Sequence, residues 1–257
     1  MKTNKILWIA LAITTVFTFT SCDPDDPEPP INPNTPNPVD STFSQIPDGG
    51  FETGWSTQTA DAGQYLEYQT AAFYTLNSLH AFPNALHIDG PITAIRDGNA
   101  HTGNYAMKLK TDTLHSAQLT ILIPGAMGTL STNYINDFLN SGGSVNIRKP
   151  YTDSPTAFSG FYKYTPIAGD SASISVVLYN NNTVVASGLL KEKNAVDEWT
   201  PFNVPINYVS ATAPTHIEII CSASAGYDFS DLQHCQGQVN STLYLDDIEL
   251  TLPSSKK

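Results

Sequence analysis

The amino-acid sequence predicts an all-β fold, a single jelly-roll β-sandwich, and three observations point to it. Between Ser41 and Pro253 no stretch carries a convincing helical period, while short alternating or β-branched runs recur between Gly, Asn, Asp and Pro residues. About ten such runs in roughly 210 residues suit a two-sheet sandwich better than a repeat protein. The third observation is the segment Thr242–Leu252, TLYLDDIELTL. Its apolar beat falls on Leu243 and Leu245 and then shifts to Ile248, Leu250 and Leu252. Side chains along a strand alternate faces with a period of two, so a strand with one buried face needs an extra residue at the changeover. The sequence therefore predicts a bulge at Asp246–Asp247, which aims two carboxylates.

Four regions follow in order. Lys2 and Lys5 precede the apolar run Ile6–Phe19, which is too short to span a bilayer and has the form of a secretory signal. Thr20-Ser21-Cys22 ends it in the manner of a bacterial lipoprotein signal, which makes residues 1–21 a removable leader and Cys22 the predicted lipidation site. Residues 22–40 form a tether: Asp23 to Asp40 carries seven prolines and no aromatic residue, a composition that stays extended and stiff. Asp23, Asp25, Asp26 and Glu28 read either as solvated linker charge or, by resemblance, as the acidic signal that sends Bacteroidetes lipoproteins to the outer face of the outer membrane. Residues 41–253 are the folded domain, and residues 254–257 a tail.

Within the domain the clearest predicted strands are Tyr105–Lys110, Leu119–Ile123, Ser144–Arg148, Phe158–Tyr164, Ser173–Tyr179, Thr183–Leu189, Phe202–Asn207, His216–Cys221 and Leu243–Leu252. Asn180-Asn181-Asn182 supplies a hairpin turn, since Asn tolerates positive φ. One short helix is predicted near Asn133–Asn140, ahead of Gly142-Gly143. With Cys22 lipidated, Cys221 and Cys235 are left as a pair in an exported chain and are expected to form a disulfide, the competing reading being two buried thiols.

Composition narrows the chemistry. A hydrophobic content of 40% against 14% charged residues is enough for a sizeable core, so the domain is not a disordered segment. The 24 acidic residues against 12 Lys and Arg leave a net charge of -12, which argues against nucleic acid or an anionic membrane surface as partners. The six histidines form no HExxH, and there is no GxSxG, P-loop or strand-borne GxGxxG, so zinc hydrolysis and nucleotide binding are set aside. No catalytic residue is assigned.

The two ends of the domain pair up as a pattern. It opens with Gly49-Gly50-Phe51-Glu52 and closes with Leu245-Asp246-Asp247-Ile248. This resembles galactose-binding-like jelly rolls and carbohydrate-binding modules, in which the two segments lie side by side. The resemblance implies a structural Ca²⁺ held by Glu52 with Asp246 and Asp247, a hard ion that takes six to eight oxygens. The competing reading has the two aspartates guarding an edge strand.

A closer resemblance runs from Gly49 to Leu252. Arg148-Lys149-Pro150, Gly160-Phe161-Tyr162-Lys163-Tyr164, Ile174-Ser175-Val176-Val177-Leu178 and Leu243-Tyr244-Leu245-Asp246-Asp247 look like the putative carbohydrate metabolism domain (PCMD) of Bacteroidetes lipoproteins. It implies a jelly roll and a role around glycans. Flat rings grip the apolar faces of sugars while polar groups bind hydroxyls, which makes Trp55, Tyr162, Tyr164 and Trp199 candidate ligand-binding residues, with Arg148 as a polar partner. Tyr162 and Tyr164 share one strand face and Phe161 and Lys163 the other, and the pattern leaves open which face is core. The expected function is glycan binding by a lipid-anchored surface protein. A structural or adhesive protein and a glycoside hydrolase, which needs two carboxylates about 5 to 10 Å apart beside a cleft, are the alternatives.

Overall fold

A computed structural model describes residues 43–81, 88–116, 120–130, 147–227 and 235–253. The signal, the tether, Cys22 and the predicted helix at Asn133–Asn140 lie outside the described residues, as does most of the predicted strand Ser144–Arg148. The first strands are β1 (Trp55–Ala60), β2 (Gly63–Tyr68), β3 (Tyr74–Thr75), β4 (Ile88–Asp89), β5 (Ala94–Asp97) and β6 (Ala106–Lys110). The middle of the chain forms β7 (Asp112–Ser116), β8 (Thr120–Ile123), β9 (Ala126–Gly128), β10 (Lys149–Pro150), β11 (Ala157–Thr165) and β12 (Ala172–Asn180). Last come β13 (Thr183–Glu192), β14 (Val196–Pro205), β15 (Asn207–Tyr208), β16 (His216–Ser222) and β17 (Thr242–Thr251).

Two sheets face each other. One runs β15-β13-β12-β16-β9-β3 with β10 also paired to β16, and the other runs β14-β11-β17-β6-β5. The all-β sandwich is as the sequence predicts. The main core lies between the sheets: Ile174, Val176, Leu178, Ile217, Ile219 and Cys221 from the first meet Phe158, Tyr162, Tyr164, Leu243, Leu245, Ile248 and Leu250 from the second. Along β12 and β16 these are alternate residues, the period-two pattern of a half-buried sheet, and along β17 the alternation shifts between Leu245 and Ile248. Among the strands that were not predicted, β1, β2, β5 and β7 are short and carry Thr, Gln, Asp and Arg among their apolar residues. Such runs lack a clean alternation because they sit toward sheet edges or outside the sandwich.

The outer faces of the two sheets differ. A second cluster, Leu76, Leu79, Leu114, Ile123, Ala126, Leu130 and Ile220, packs with Tyr227 and Cys235 on the other face of β16, under the small β4-β7-β8 sheet. This placement corrects the disulfide prediction. Cys221 belongs to the core between the sheets and is fully buried, whereas Cys235 packs on the opposite side of the same sheet. The backbone of the sheet separates the two sulfurs, and no bridge joins them. Burial pushes the Cys221 thiol well above its usual range.

The 3-10 turn Leu76–Ala81 is tied into the sandwich by one buried amide. Asn77 donates to the carbonyls of Leu66 and Ala94 at 2.9 and 2.7 Å and accepts from the amides of Thr93 and Ala94, each at 2.9 Å. Nearby, Glu67 is only 1% exposed and accepts from the Thr75 hydroxyl through Oε1, while Oε2 has no hydrogen-bond partner among the described residues. Burial outweighs the hydrogen bonds from Thr75 and raises the Glu67 carboxyl to about 8. A carboxyl whose folded pKa lies above its unfolded value favours the fold fully below the unfolded value of 4.5, and that stability is lost as pH rises through the interval to about 8. The slope approaches roughly 1.4 kcal/mol per pH unit within that window. The native protein should therefore melt at progressively lower temperature between pH 5 and pH 8, and Glu67→Gln, which keeps an acceptor for Thr75, should flatten the decline. Parallel melting curves for the two proteins across this range would refute the assignment.

Candidate functional site: an acid clamp beside an aromatic face

The parity change in β17 is resolved as the sequence predicts. Phe161 pairs with Asp246 and Ser159 with Glu249, so Asp247 and Ile248 together oppose Gly160. Asp247 takes a positive φ of 49°, and Ile248 returns to the core. A Cβ on Gly160 would stand 3.0 Å from the Ile248 Cα, which is why the residue opposite the bulge carries none.

The bulge turns Asp246 toward the outer face, where the segment His101–Tyr105 covers it completely. Its Oδ2 accepts from the amides of His101 at 2.7 Å and Thr102 at 3.2 Å, and its Oδ1 from the amide of Asp247 at 2.8 Å. Asp247 holds the same segment from the side: Oδ2 lies 2.6 Å from His101 Nδ1, and Oδ1 accepts from the Thr102 hydroxyl at 2.7 Å. Glu52, arriving from the start of the domain, accepts from the amides of Asn104 at 2.7 Å and Tyr105 at 3.0 Å. Asp48, whose part the sequence did not reveal, shapes that opening turn by accepting from the amides of Glu52 at 2.9 Å and Gly54 at 2.7 Å. Two glycines are required by the closeness of these segments. A Cβ on Gly49 would fall 2.0 Å from the Ile248 carbonyl oxygen, and Gly103, at φ 66°, would place one 2.3 Å from Glu52 Oε1.

The electrostatics follow from these donors. The Tyr105 amide, with that of Asn104, holds the Glu52 carboxyl below the usual carboxylate range. Burial pushes the Asp246 carboxyl up, and the amides of His101, Asp247 and Thr102 pull it back. Glu52, Asp246 and Asp247 are thus brought together as the sequence suggests, but their oxygens meet hydrogen donors. The nearby carbonyls are engaged as well: Asp48 O accepts from the Tyr68 hydroxyl at 3.0 Å, Gly49 O from the Ile248 amide at 2.9 Å and Phe51 O from Trp55 Nε1 at 2.9 Å. Among the described residues no group of three or more His, Cys, Asp or Glu is placed to hold a metal ion. The geometry fits a clamp closed by amide hydrogens and does not fit an ion that draws six to eight oxygens.

The clamp seats an aromatic face. His101 stacks on Phe161 with ring centroids 3.6 Å apart and planes 16° from parallel, and meets Trp199 edge-on at 6.0 Å. Trp199 in turn meets Tyr244 at 6.4 Å and 86°. Lys163 Nζ lies 5.4 Å from the Trp199 ring centre and Lys108 Nζ 5.3 Å from that of Tyr244. In register, Lys163 pairs with Tyr244 and Tyr244 with Lys108, so the row crosses β11, β17 and β6 on the face away from the core. All of these side chains are partly exposed.

The candidate ligand-binding residues divide accordingly. Trp199 belongs to this row. Tyr162 and Tyr164 do not: they are 6% and 0% exposed, point into the sandwich, and donate to Glu192 and to the Ala223 carbonyl, so neither offers a ring to a ligand. Trp55 stands apart, lining a shallow groove of about 340 Å³ with Thr53, Gly54 and Gln69. Arg148 lies on the other sheet, 3.7 Å over the Tyr179 ring, with Nε 3.9 Å from Glu218. Phe161, Tyr244, His101, Lys108 and Lys163 were missed as site residues. The signal was present in the alternation of Phe161 and Lys163, but only the pairing of Lys163 with Tyr244 shows that this face is the open one.

Fold and site together define a β-sandwich with an acid-clamped loop and an aromatic outer face. Residues 167–251 match the family model described as the putative carbohydrate metabolism domain, PCMD. The matched stretch includes Ile174–Leu178 and Leu243–Asp247 among the segments that carried the resemblance; Arg148–Pro150 and Gly160–Tyr164 precede it. Two solved structures share the fold. A putative glycoside hydrolase from Bacteroides vulgatus is 19% identical with a TM-score of 0.61, the match covering 82% of this chain and 98% of that one. A second, from Bacteroides thetaiotaomicron, is 15% identical with a TM-score of 0.61, covering 84% of this chain and 73% of that one. No curated protein matches the sequence.

The clamp predicts its own test. Asp246→Ala leaves the amides of His101 and Thr102 buried without their acceptor and should cost roughly 2–3 kcal/mol in denaturant unfolding. Melting should be indifferent to chelator and to added calcium alike. A melting temperature that rises with calcium and falls with chelator would instead assign the three carboxylates to an ion.

Proposed function

We propose that the protein is a lipid-anchored protein of the outer-membrane surface that binds glycan, within a system for carbohydrate capture or metabolism. The observation that carries the reading is the aromatic row: partly exposed Phe161, Trp199 and Tyr244 on one sheet face, with lysines and His101 set between the rings. Flat rings flanked by polar groups are how proteins hold the apolar faces and hydroxyls of sugars. The carbohydrate-related domain over residues 167–251 supports the same reading. The leader, Cys22 and the acidic tether support the anchor and its address.

Two solved structures of this fold bear the name putative glycoside hydrolase, and hydrolysis is the competing chemistry. It requires a pair of carboxylates flanking a cleft. Here Glu52, Asp246 and Asp247 are committed to loop amides and side chains, and Glu67, the acid with the raised pKa, is 1% exposed. This favours binding over cleavage. An adhesive protein with no glycan ligand is separated by experiment.

Detergent-purified full-length protein on a glycan array should bind at least one glycan class, and Trp199→Ala with Tyr244→Ala should weaken that binding by about tenfold or more, the scale of one lost ring stack with its flanking contacts. No binding to any class would make the adhesive reading the leader. Separately, Cys22→Ala should move the protein out of the membrane fraction; retention there would refute the lipid anchor.

A further inference from the structure

The aromatic row is crossed by charge in a way the whole chain does not foreshadow. The protein carries a net charge of -12, yet Lys163 and Lys108 flank Tyr244 on adjacent strands of one open face. Two strand spacings put their backbones about 10 Å apart. Lys163 makes no ion pair within 4.0 Å among the described residues; its ammonium group lies 5.4 Å from the centre of the Trp199 ring. Lys108 shares Asp97 at 3.5 Å with both side chains about a quarter exposed. Lys110, opposite Thr242, continues the same face on β6. Two of the acids around the row are engaged: Asp247 is held by His101 and Thr102, and Asp97 by Lys108. Asp197 and Glu198 lie in the stretch of β14 that opposes Lys163, between the pairs Tyr162–Thr200 and Tyr164–Val196, and Glu249 lies beyond the bulge; all three are exposed.

A neutral sugar offers the Lys163 ammonium group only hydroxyls, whereas an anion also offsets the solvation that the charge loses when covered. We propose that this face takes an acidic glycan, one whose uronate carboxylates or sulfate groups meet Lys163 and Lys108 while its ring faces lie against Trp199 and Tyr244. The inference rests on the glycan-binding reading and narrows it to a substrate class. At physiological salt exposed charges are screened beyond about 8 Å, so an anion seated on the row meets chiefly the charges of that face: Lys163, Lys108 and Lys110, with Asp197, Glu198 and Glu249 at its rim. The carboxylate and the sulfate share this chemistry, and the test separates them.

The experiment measures affinity of the full-length protein in detergent for polygalacturonate, for chondroitin sulfate and for neutral polysaccharides, at low and high salt. Binding to one of the two acidic polymers is expected, weakening with salt. Lys163→Gln should reduce it by about tenfold or more, the scale of a lost charge-assisted hydrogen bond, while Lys163→Arg keeps it. Lys191→Gln, on an exposed position of the other sheet, serves as the control for a general charge effect. Binding to polygalacturonate, or to chondroitin sulfate with no loss on desulfation, assigns the row to carboxylates, and binding to chondroitin sulfate that is lost on desulfation assigns it to sulfates. Acid-glycan affinity unchanged in both Lys163→Gln and Lys108→Gln would overturn the proposal. Binding confined to neutral polymers would overturn it while leaving glycan binding intact, and binding to none would overturn both.

Discussion

A single buried carboxylate organises the functional end of this protein. Asp246 sits on the bulge of a central strand with no exposure to solvent, and a charge placed there is tolerable only because three amides point at it. Two of those amides belong to His101 and Thr102, 145 and 144 residues away, so satisfying one side chain fixes a whole loop against the sheet. Glu52 does the same for the far end of that loop from the start of the domain. The first and last strand regions of the domain thereby meet over one short segment, and the segment delivers His101 onto Phe161.

The two sheets are used differently. Both turn one face to the common core, but the first has its outer side covered in part by a second apolar cluster beneath β7 and β8, while the second displays the aromatic row. Alternation along β11 then sorts neighbouring residues into separate roles. Tyr162 and Tyr164 fill the core and satisfy their hydroxyls there, and Phe161 and Lys163 face outward beside Trp199 and His101. The rings and ammonium groups of the row, His101 apart, thus sit on strands, which keeps their spacing fixed by strand geometry.

What the sequence by itself determined is what local periodicity can carry. The all-β class, the strands with clean alternation such as Ala172–Asn180 and His216–Ser222 and the bulge in TLYLDDIELT are legible from residue order, whereas the meeting of the domain's two ends is implied by the resemblance to galactose-binding-like jelly rolls. Only the tertiary structure decided which face of β11 is buried, because Tyr, Phe and Lys each carry an apolar body with or without a polar tip, and a period of two says which residues share a face without saying which face is covered. It also decided what the carboxylates hold: their partners are backbone amides, which every residue owns and no sequence marks. The cysteines make the same point, since Cys221 and Cys235 lie fourteen positions apart along the chain, yet a sheet stands between them.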